Sequence, residues 1–416
     1  GDFNGDGGLQ QALTEISNLT HGGAVYIKRG TYTVDNPLTV RSDTVVMGDG
    51  IGITNLNFST TSDRFILAPR GTQTEVYNVR FEGFSAIAGA VTDPTTTGRG
   101  SVVTNTDITS YPVINFSIDN CYMKGGSFYN NTAAVGLRDR ALFHLIALQS
   151  PLTVTKTTEN IRITNSRFFV EGSGLYLSSA RNVNISECIF ESETNVSSAS
   201  DFVGMVQGIV FANGAPSGNI YGNSDTTAAL VAGEVSISDC QFRGPQTNLT
   251  SLPYRGWVFF APNFTGQNST VSNCRFISDT EGDDYFELNV PPHYNSAQAL
   301  AATYAFGVGV VSASTEVVKI SGCTFHSLEE GVRCAQGQTV IEDSTFVVCD
   351  HGVRVGCPTA AGGGGAWQDY NYDDILASYA FTPTVPYLAD VKGCSFISSQ
   401  YHPNNVGVDV IPQQVF

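Results

Sequence analysis

Glu281, Glu330 and His351 each stand immediately before a glycine (Gly282, Gly331, Gly352), and Asp284, Arg333 and Arg354 each follow that glycine by two positions. Carboxyl groups and an imidazole in one row, with guanidinium groups in the other, are the parts needed to protonate a glycosidic oxygen and to hold an acidic sugar. Glu281, Asp284, Glu330 and His351 are therefore the candidate catalytic residues. Arg333 and Arg354, with Tyr285 as a ring on which a sugar can stack, are the candidate substrate-binding residues. The same residue types also fit a structural reading, salt bridging between successive segments on a solvated face. The run Asp279, Glu281, Asp283, Asp284 and Glu287 offers the hard oxygen ligands that calcium takes, or forms a solvated acidic loop. Cys323 and His326 with Cys334, Cys349, His351 and Cys357 would suit zinc if they were gathered, but Cys323 has another explanation below. The chain has no phosphate loop ending in Gly-Lys-Ser/Thr, no Gly-x-Ser-x-Gly elbow and no His-Glu-x-x-His.

Residues that recur in this way need an element that recurs beneath them. Aligning on a Phe, once a Met, gives anchors at Phe84, Met123, Phe168, Phe190, Phe242, Phe276, Phe325, Phe346 and Phe396, each ending a segment such as Ile237-Ser-Asp-Cys-Gln-Phe242. The shortest spacings, 22 from Phe168 to Phe190 and 21 from Phe325 to Phe346, define the unit, and longer spacings are that unit with insertions. Alternation of apolar and polar residues in the segment has the period of a half-buried strand. A second strand is read at Gly174–Leu177, Gly331–Cys334, Gly352–Val355 and Gly407–Val410, and a third at Phe65–Pro69, Ile209–Asn213 and Val258–Pro262. Short strands in fixed order with no helices between them predict a parallel β-solenoid of nine to twelve coils rising about 4.8 Å each. Six of the nine cysteines, Cys121, Cys188, Cys240, Cys274, Cys323 and Cys394, lie two residues before the anchor, and a buried column of reduced thiols is expected there. Trp257, in a repeat strand, is expected in the core.

Charged residues make up 14% of the 416, well below the roughly 25% usual for soluble domains, and Gly numbers 43. The net charge of −17 excludes nucleic acid or an anionic membrane bound through a general basic field, so an acidic glycan would need a local basic site. No apolar run reaches the roughly 18 residues of a spanning helix. Nine Asn-x-Ser/Thr sequons occur, at Asn18, Asn57, Asn115, Asn130, Asn184, Asn195, Asn248, Asn263 and Asn268. Segments between the repeats carry Tyr254, Tyr285, Tyr294, Tyr304, Trp367, Tyr370 and Tyr372, aromatics suited to a glycan groove or to subunit contact.

Leu9, Ala12, Leu13 and Ile16 predict a short amphipathic helix, placed where it can cover the open end of a solenoid. The opening Gly1-Asp-Phe-Asn-Gly-Asp-Gly, this helix, and Gly22-Gly-Ala-Val-Tyr-Ile27, Gly30-Thr-Tyr-Thr-Val34 and Val46-Met-Gly-Asp-Gly50 resemble the start of the pectate-lyase-like right-handed parallel β-helix superfamily. The resemblance implies an all-β, right-handed, single-stranded parallel β-helix, with residues 1–50 as cap and first strands and 51–416 as coils with loop insertions. It also implies extracellular carbohydrate as ligand, because the superfamily includes pectate lyases, polygalacturonases, bacteriophage tailspikes and structural spikes. Gly282-Asp-Asp284, His351-Gly352 and Arg354 resemble fragments of polygalacturonase motifs, in which an Asp acid works with Asp residues that activate water, but Asn263-Phe-Thr265 has no acid where that pattern needs one. The expectation is a tailspike-like protein, extracellular or on a virion surface and homotrimeric, that binds surface polysaccharide with or without cleaving it. It would have virion or filament neighbours and no nucleic-acid or membrane partner, and no cofactor is expected unless the acidic run from Asp279 to Glu287 takes calcium. A secreted polysaccharide lyase or glycoside hydrolase is the alternative, and a structural subunit without a ligand is the third.

Overall fold

The computed structural model describes residues 5–59, 64–88, 101–105, 111–125, 144–149, 157–170, 173–191, 206–212, 233–244, 255–260, 268–277, 305–310, 317–328, 330–334, 337–347, 349, 351–355, 387–397 and 406–410. Helix α1 (Gly5–Ser17) is followed by strands that fall into three parallel sheets of 11 strands each, every strand pairing with its counterparts in the coils before and after. Sheet 1 runs from Gly23–Ile27 to Tyr387–Lys392, sheet 2 from Gly30–Val34 to Ser395–Ile397, and sheet 3 from Leu38–Arg41 to Val406–Val410. This is an all-β, right-handed parallel β-helix, the hand that crossovers between parallel strands almost always take. Leu13 of α1 is buried against the first coil, with Leu9, Ala12 and Ile16 half-buried beside it, so the helix closes that end as its apolar spacing predicts.

The repeat is real, but its division into strands differs from the sequence reading in two ways. Segments of the form Ile-x-x-Cys-x-Phe are two strands with a corner between them. Ile237 ends sheet 1 within Gly233–Ser238, while Phe242 is the inward residue of Gln241–Arg243 in sheet 2. The corner is made by a residue with positive φ: Asn120, Asn165, Glu187, Asp239, Asn273, Asp343 and the glycines Gly322 and Gly393 occupy it in successive coils. Asn, Asp and Gly tolerate that conformation, and so the chain turns there and nowhere else in the motif. The second and third quasi-repeats, in turn, are one strand: Leu175 pairs with Ile209, Ile209 with Val258, Val258 with Val308 and Val308 with Val332, all in sheet 3. In the third coil the sequence alignment is two residues out, because Ala86, not Phe84, pairs with Met123. Phe84 instead fills the place that cysteine takes in later coils, against Phe65 and Phe81.

Inside the solenoid, like stacks on like. Phe168, Phe190, Phe242, Phe276, Phe325, Phe346 and Phe396 form a column with ring centroids 4.8–4.9 Å apart. Beside it Cys121, Cys188, Cys240, Cys274 and Cys323 are buried free thiols, and Cys394 in the last coil is half-buried. Cys188 Sγ donates to the Ser186 carbonyl at 3.2 Å, and Ser166 Oγ, in the same column, donates to the Thr164 carbonyl at 2.7 Å. Burial pushes the Cys121 thiol up to about 12, which keeps it protonated and apolar. Trp257 is in the core.

Sheet 1 carries a second column on its rim. Asn115 Nδ2 donates to Asn78 Oδ1 at 2.9 Å, Asn160 Nδ2 to Asn115 Oδ1 at 2.9 Å, and Asn182 Nδ2 to Asn160 Oδ1 at 2.6 Å. Each of these residues has positive φ. Asn115 is one of the nine sequons, and its amide is engaged on both sides, so a glycan attached there would break the column.

Candidate functional site

Connections between sheet 1 and sheet 2 are short in every coil, as in Asp119 to Tyr122, Ser238 to Gln241 and Glu342 to Thr345. All the long connections border sheet 3. Residues 125–143, 192–205, 244–254 and 278–304 lead into it from sheet 2, and 150–157, 213–232, 261–268 and 356–386 lead from it back to sheet 1. Length variation is confined to the two margins of one sheet.

The candidate residues belong to that sheet. Glu330 and Arg333 lie in the strand Glu330–Cys334, His351 and Arg354 in the next strand His351–Val355, and the strands are in register with Glu330 opposite His351 and Arg333 opposite Arg354. Glu281, Asp284 and Tyr285 lie outside the described residues, in the connection that enters sheet 3 one strand earlier, at Ala305–Val310. The two rows hold for these four residues, but in the preceding strand Phe306 and Gly309, not Glu281 and Asp284, stand opposite Glu330 and Arg333, so the glycine alignment at Gly282 falls too early in the sequence. The rows do not form a solvated strip: Glu330 is 1% and Arg333 2% exposed, and Arg354 is 12% exposed. Ala147 and Tyr176, in the same register column as Arg333, are buried as well. Register says which way a side chain leaves the sheet, but not whether water meets it there, and sheet 3 is the face with long connections along both edges.

A carboxylate cut off from water needs compensation, and Glu330 has two guanidinium partners. Both of its oxygens accept from Arg333, through Nε and Nη2, and Oε1 also accepts from Arg354 Nη1 at 2.9 Å across the coils. Burial alone would raise the Glu330 carboxyl; the charges and hydrogen bonds of Arg333, followed by those of Arg354, outweigh it and hold the group below its usual range. The narrow glycine positions frame the cluster. A Cβ on Gly331 would lie 2.5 Å from the Phe346 ring and 2.6 Å from the Gly352 carbonyl oxygen, so the strand that holds Glu330 passes directly over the core column.

Zinc finds no cage among the described residues. Cys323 stacks on Cys274 in the thiol column, Cys349 Sγ donates to the Phe325 carbonyl at 3.5 Å, and burial pushes the Cys334 thiol up to about 12; Cys357 lies outside the described residues. The acids Asp279 to Glu287 proposed for calcium also lie outside them.

Sequence reasoning missed a second ionic cluster, on sheet 2. Glu191 accepts from Arg167 Nε at 2.5 Å and from Arg243 Nε at 2.6 Å, joining three coils. The signal was in the repeat, since Glu191 and Arg243 each follow an anchor Phe and Arg167 precedes one, on the outward side of a strand whose inward residue had been identified.

No protein-family model and no curated protein matches the chain. Among solved structures, a tailspike protein of Escherichia coli bacteriophage HK620 in complex with a pentasaccharide is similar at 11% identity and a TM-score of 0.52, over 95% of this chain and 63% of that one. A second variant of the same tailspike gives 11% identity and a TM-score of 0.51, over 96% and 63%. The catalytic unit of a GH87 α-1,3-glucanase from Streptomyces thermodiastaticus is similar at 11% identity and a TM-score of 0.40, over 96% and 68%. The chain spans less than two-thirds of the tailspike's length, and at these identities the likeness shows a shared parallel β-helix fold.

Proposed function

We propose that this chain is a tailspike-like polysaccharide-binding protein, extracellular or on a virion surface, whose ligand lies along sheet 3. The observation that carries the reading is the confinement of every long connection to the two margins of that sheet, with the Arg333–Glu330–Arg354 cluster between them. Fixed strands flanked by variable segments are how rigid scaffolds commonly build binding sites. The pentasaccharide bound by the HK620 tailspike supports a glycan as the ligand.

In this reading Glu330 is a positioning residue. Ionised and chelated by both arginines, it does not donate a proton; it fixes Arg333 and sets Arg354, the most exposed of the three, to grip a sugar carboxylate or hydroxyl. His351 stands beside it in register. Cleavage would require a carboxyl that holds a proton near neutral pH, and Glu281 and Asp284 are assigned that role, with Tyr285 as a stacking ring.

The test is a panel of acidic and neutral surface polysaccharides, with binding, reducing ends and fragment masses all followed. At least one glycan should bind. Arg354→Gln should weaken it about tenfold or more, the loss of one hydrogen bond to a charged group, and should also lower the melting temperature because Arg354 compensates the buried Glu330, so binding is measured where circular dichroism shows the variant folded. Fragments heavier by water would mark a hydrolase, unsaturated fragments a lyase. Failure of the whole panel to bind refutes the reading and leaves a structural subunit.

A further inference from the structure

Sheet 2 faces outward on a different side of the solenoid from sheet 3, and its outward residues in five consecutive coils have an unusual charge. The strands Tyr122–Lys124, Arg167–Phe169, Ile189–Glu191, Gln241–Arg243 and Arg275–Ile277 each present two residues on either side of an inward Met or Phe. Lys124, Arg167, Arg243 and Arg275 stand among these outward residues against a single acid, Glu191. In a chain with 38 acidic and 21 basic residues the expected balance is the reverse.

The cations are accessible. The Arg167 and Arg243 side chains are 49% and 40% exposed, and Arg275 is exposed with no acidic partner among the described residues. Burial and then the neighbouring charge of Arg167 lower the Arg243 guanidinium from its ordinary range, a sign of positive charge held close together. Phe169, half-buried on the same outward face, lies under the Lys124 ammonium at 4.4 Å. With strands about 4.8 Å apart, the face from Lys124 to Arg275 is roughly 19 Å long. Its cations divide between two outward columns: Lys124 and Arg243 stand in register with Phe169, Glu191 and Ile277, and Arg167 and Arg275 with Tyr122, Ile189 and Gln241.

Solvated cross-coil pairing explains Arg167 and Arg243 through Glu191, but it does not explain Arg275, the shortage of acids, or an aromatic ring on an outward position. We infer that the outward face of sheet 2 from Lys124 to Arg275 is a second binding site, for a linear acidic polysaccharide whose carboxylates recur along its length. Charge complementarity selects the ligand: guanidinium and ammonium groups from four of five consecutive coils, set in two columns along the solenoid axis, favour an extended polyanion that runs along that axis. Glu191 is the internal competitor, a carboxylate that occupies Arg167 and Arg243 until the ligand's carboxylates share them. The site needs none of the residues assigned to sheet 3.

The experiment measures binding of polygalacturonate, hyaluronan and polysialic acid, each beside its carboxyl-reduced form, at low and moderate salt. At least one acidic polymer should bind and its reduced form should not, with affinity falling as salt rises. Arg275→Gln should weaken that binding at least about fivefold without moving the melting temperature, and Glu191→Gln should tighten it by releasing two guanidinium groups. The opposite response of these two variants is what a purely structural cluster would not give. Equal binding of acidic and reduced polymers, undiminished binding by Arg275→Gln, or weaker binding by Glu191→Gln overturns the inference. Binding lost in Arg354→Gln but kept in Arg275→Gln overturns it while supporting the sheet 3 reading. If no acidic polymer binds, the sheet 2 site is refuted, and a neutral glycan that still binds leaves sheet 3 standing.

Discussion

Glu330 shows what the loss of water does to one side chain. Its carboxylate is stable as an anion only because Arg333 and Arg354 surround it, so Glu330→Gln should leave two buried cations poorly compensated and cost about 3–5 kcal/mol. The folded carboxyl titrates below its ordinary range, so above that range the folded state binds fewer protons than the unfolded one and the full contribution to stability is present. As pH falls below about 4 and through the depressed folded value, that contribution is lost. Denaturant midpoints at neutral and acidic pH should therefore converge between wild type and Glu330→Gln on acidification. A variant that stays as stable as wild type at neutral pH would contradict the buried cluster. The residues of the cluster were legible in the sequence, because the glycine repeat puts Glu330, His351, Arg333 and Arg354 in matching places. Their burial was not, since a repeat fixes which way a side chain leaves the sheet and not what covers it.

A strand pair in this molecule is defined by its corner more than by its length. At Asn120, Asn165, Asp239 and Asn273 a positive-φ residue turns sheet 1 into sheet 2, and the next residue in each case fills the small column of thiols and hydroxyls. Cys240 is buried there, with Sγ donating to the Ser238 carbonyl at 3.2 Å, and Ser344 makes the same type of bond to the Glu342 carbonyl at 3.0 Å in the penultimate coil. Cys240→Ser should therefore remain folded, at a cost of about 1 kcal/mol. Cys240→Asp places a charge in the stack and should give no soluble native protein; a cooperative unfolding transition from that variant would overturn the account. The six aligned cysteines made this column readable in advance. The corner was not, because alternating polar and apolar residues look alike in one continuous strand and in two strands joined by a single left-handed residue. The two quasi-repeats that proved to be one strand were separated by insertions of unequal length, which hid their common register.

At the scale of the whole molecule, three faces have three characters: a polar face with an amide column on sheet 1, a basic face on sheet 2, and the long connections along sheet 3. A tailspike-like assembly places copies side by side, and light scattering should then give about three times 44.3 kDa. A monomer at working concentration would favour a secreted enzyme acting alone. The fold itself was legible from the anchors and thiol positions, which are consequences of stacking and recur from coil to coil, and from the helix that covers the end where stacking stops. Sites are read less easily, since they draw on what differs between coils.

The short turn between sheets 1 and 2 has a practical consequence. Register along the Phe column is set where the chain has no freedom of length, while the margins of sheet 3 already accept connections from a few residues to about thirty without disturbing it. Foreign peptide spliced between Ala212 and Gly233 would thus be displayed on a frame whose geometry does not depend on what is inserted, and exchange of these segments between related chains would swap recognition while leaving the frame unchanged.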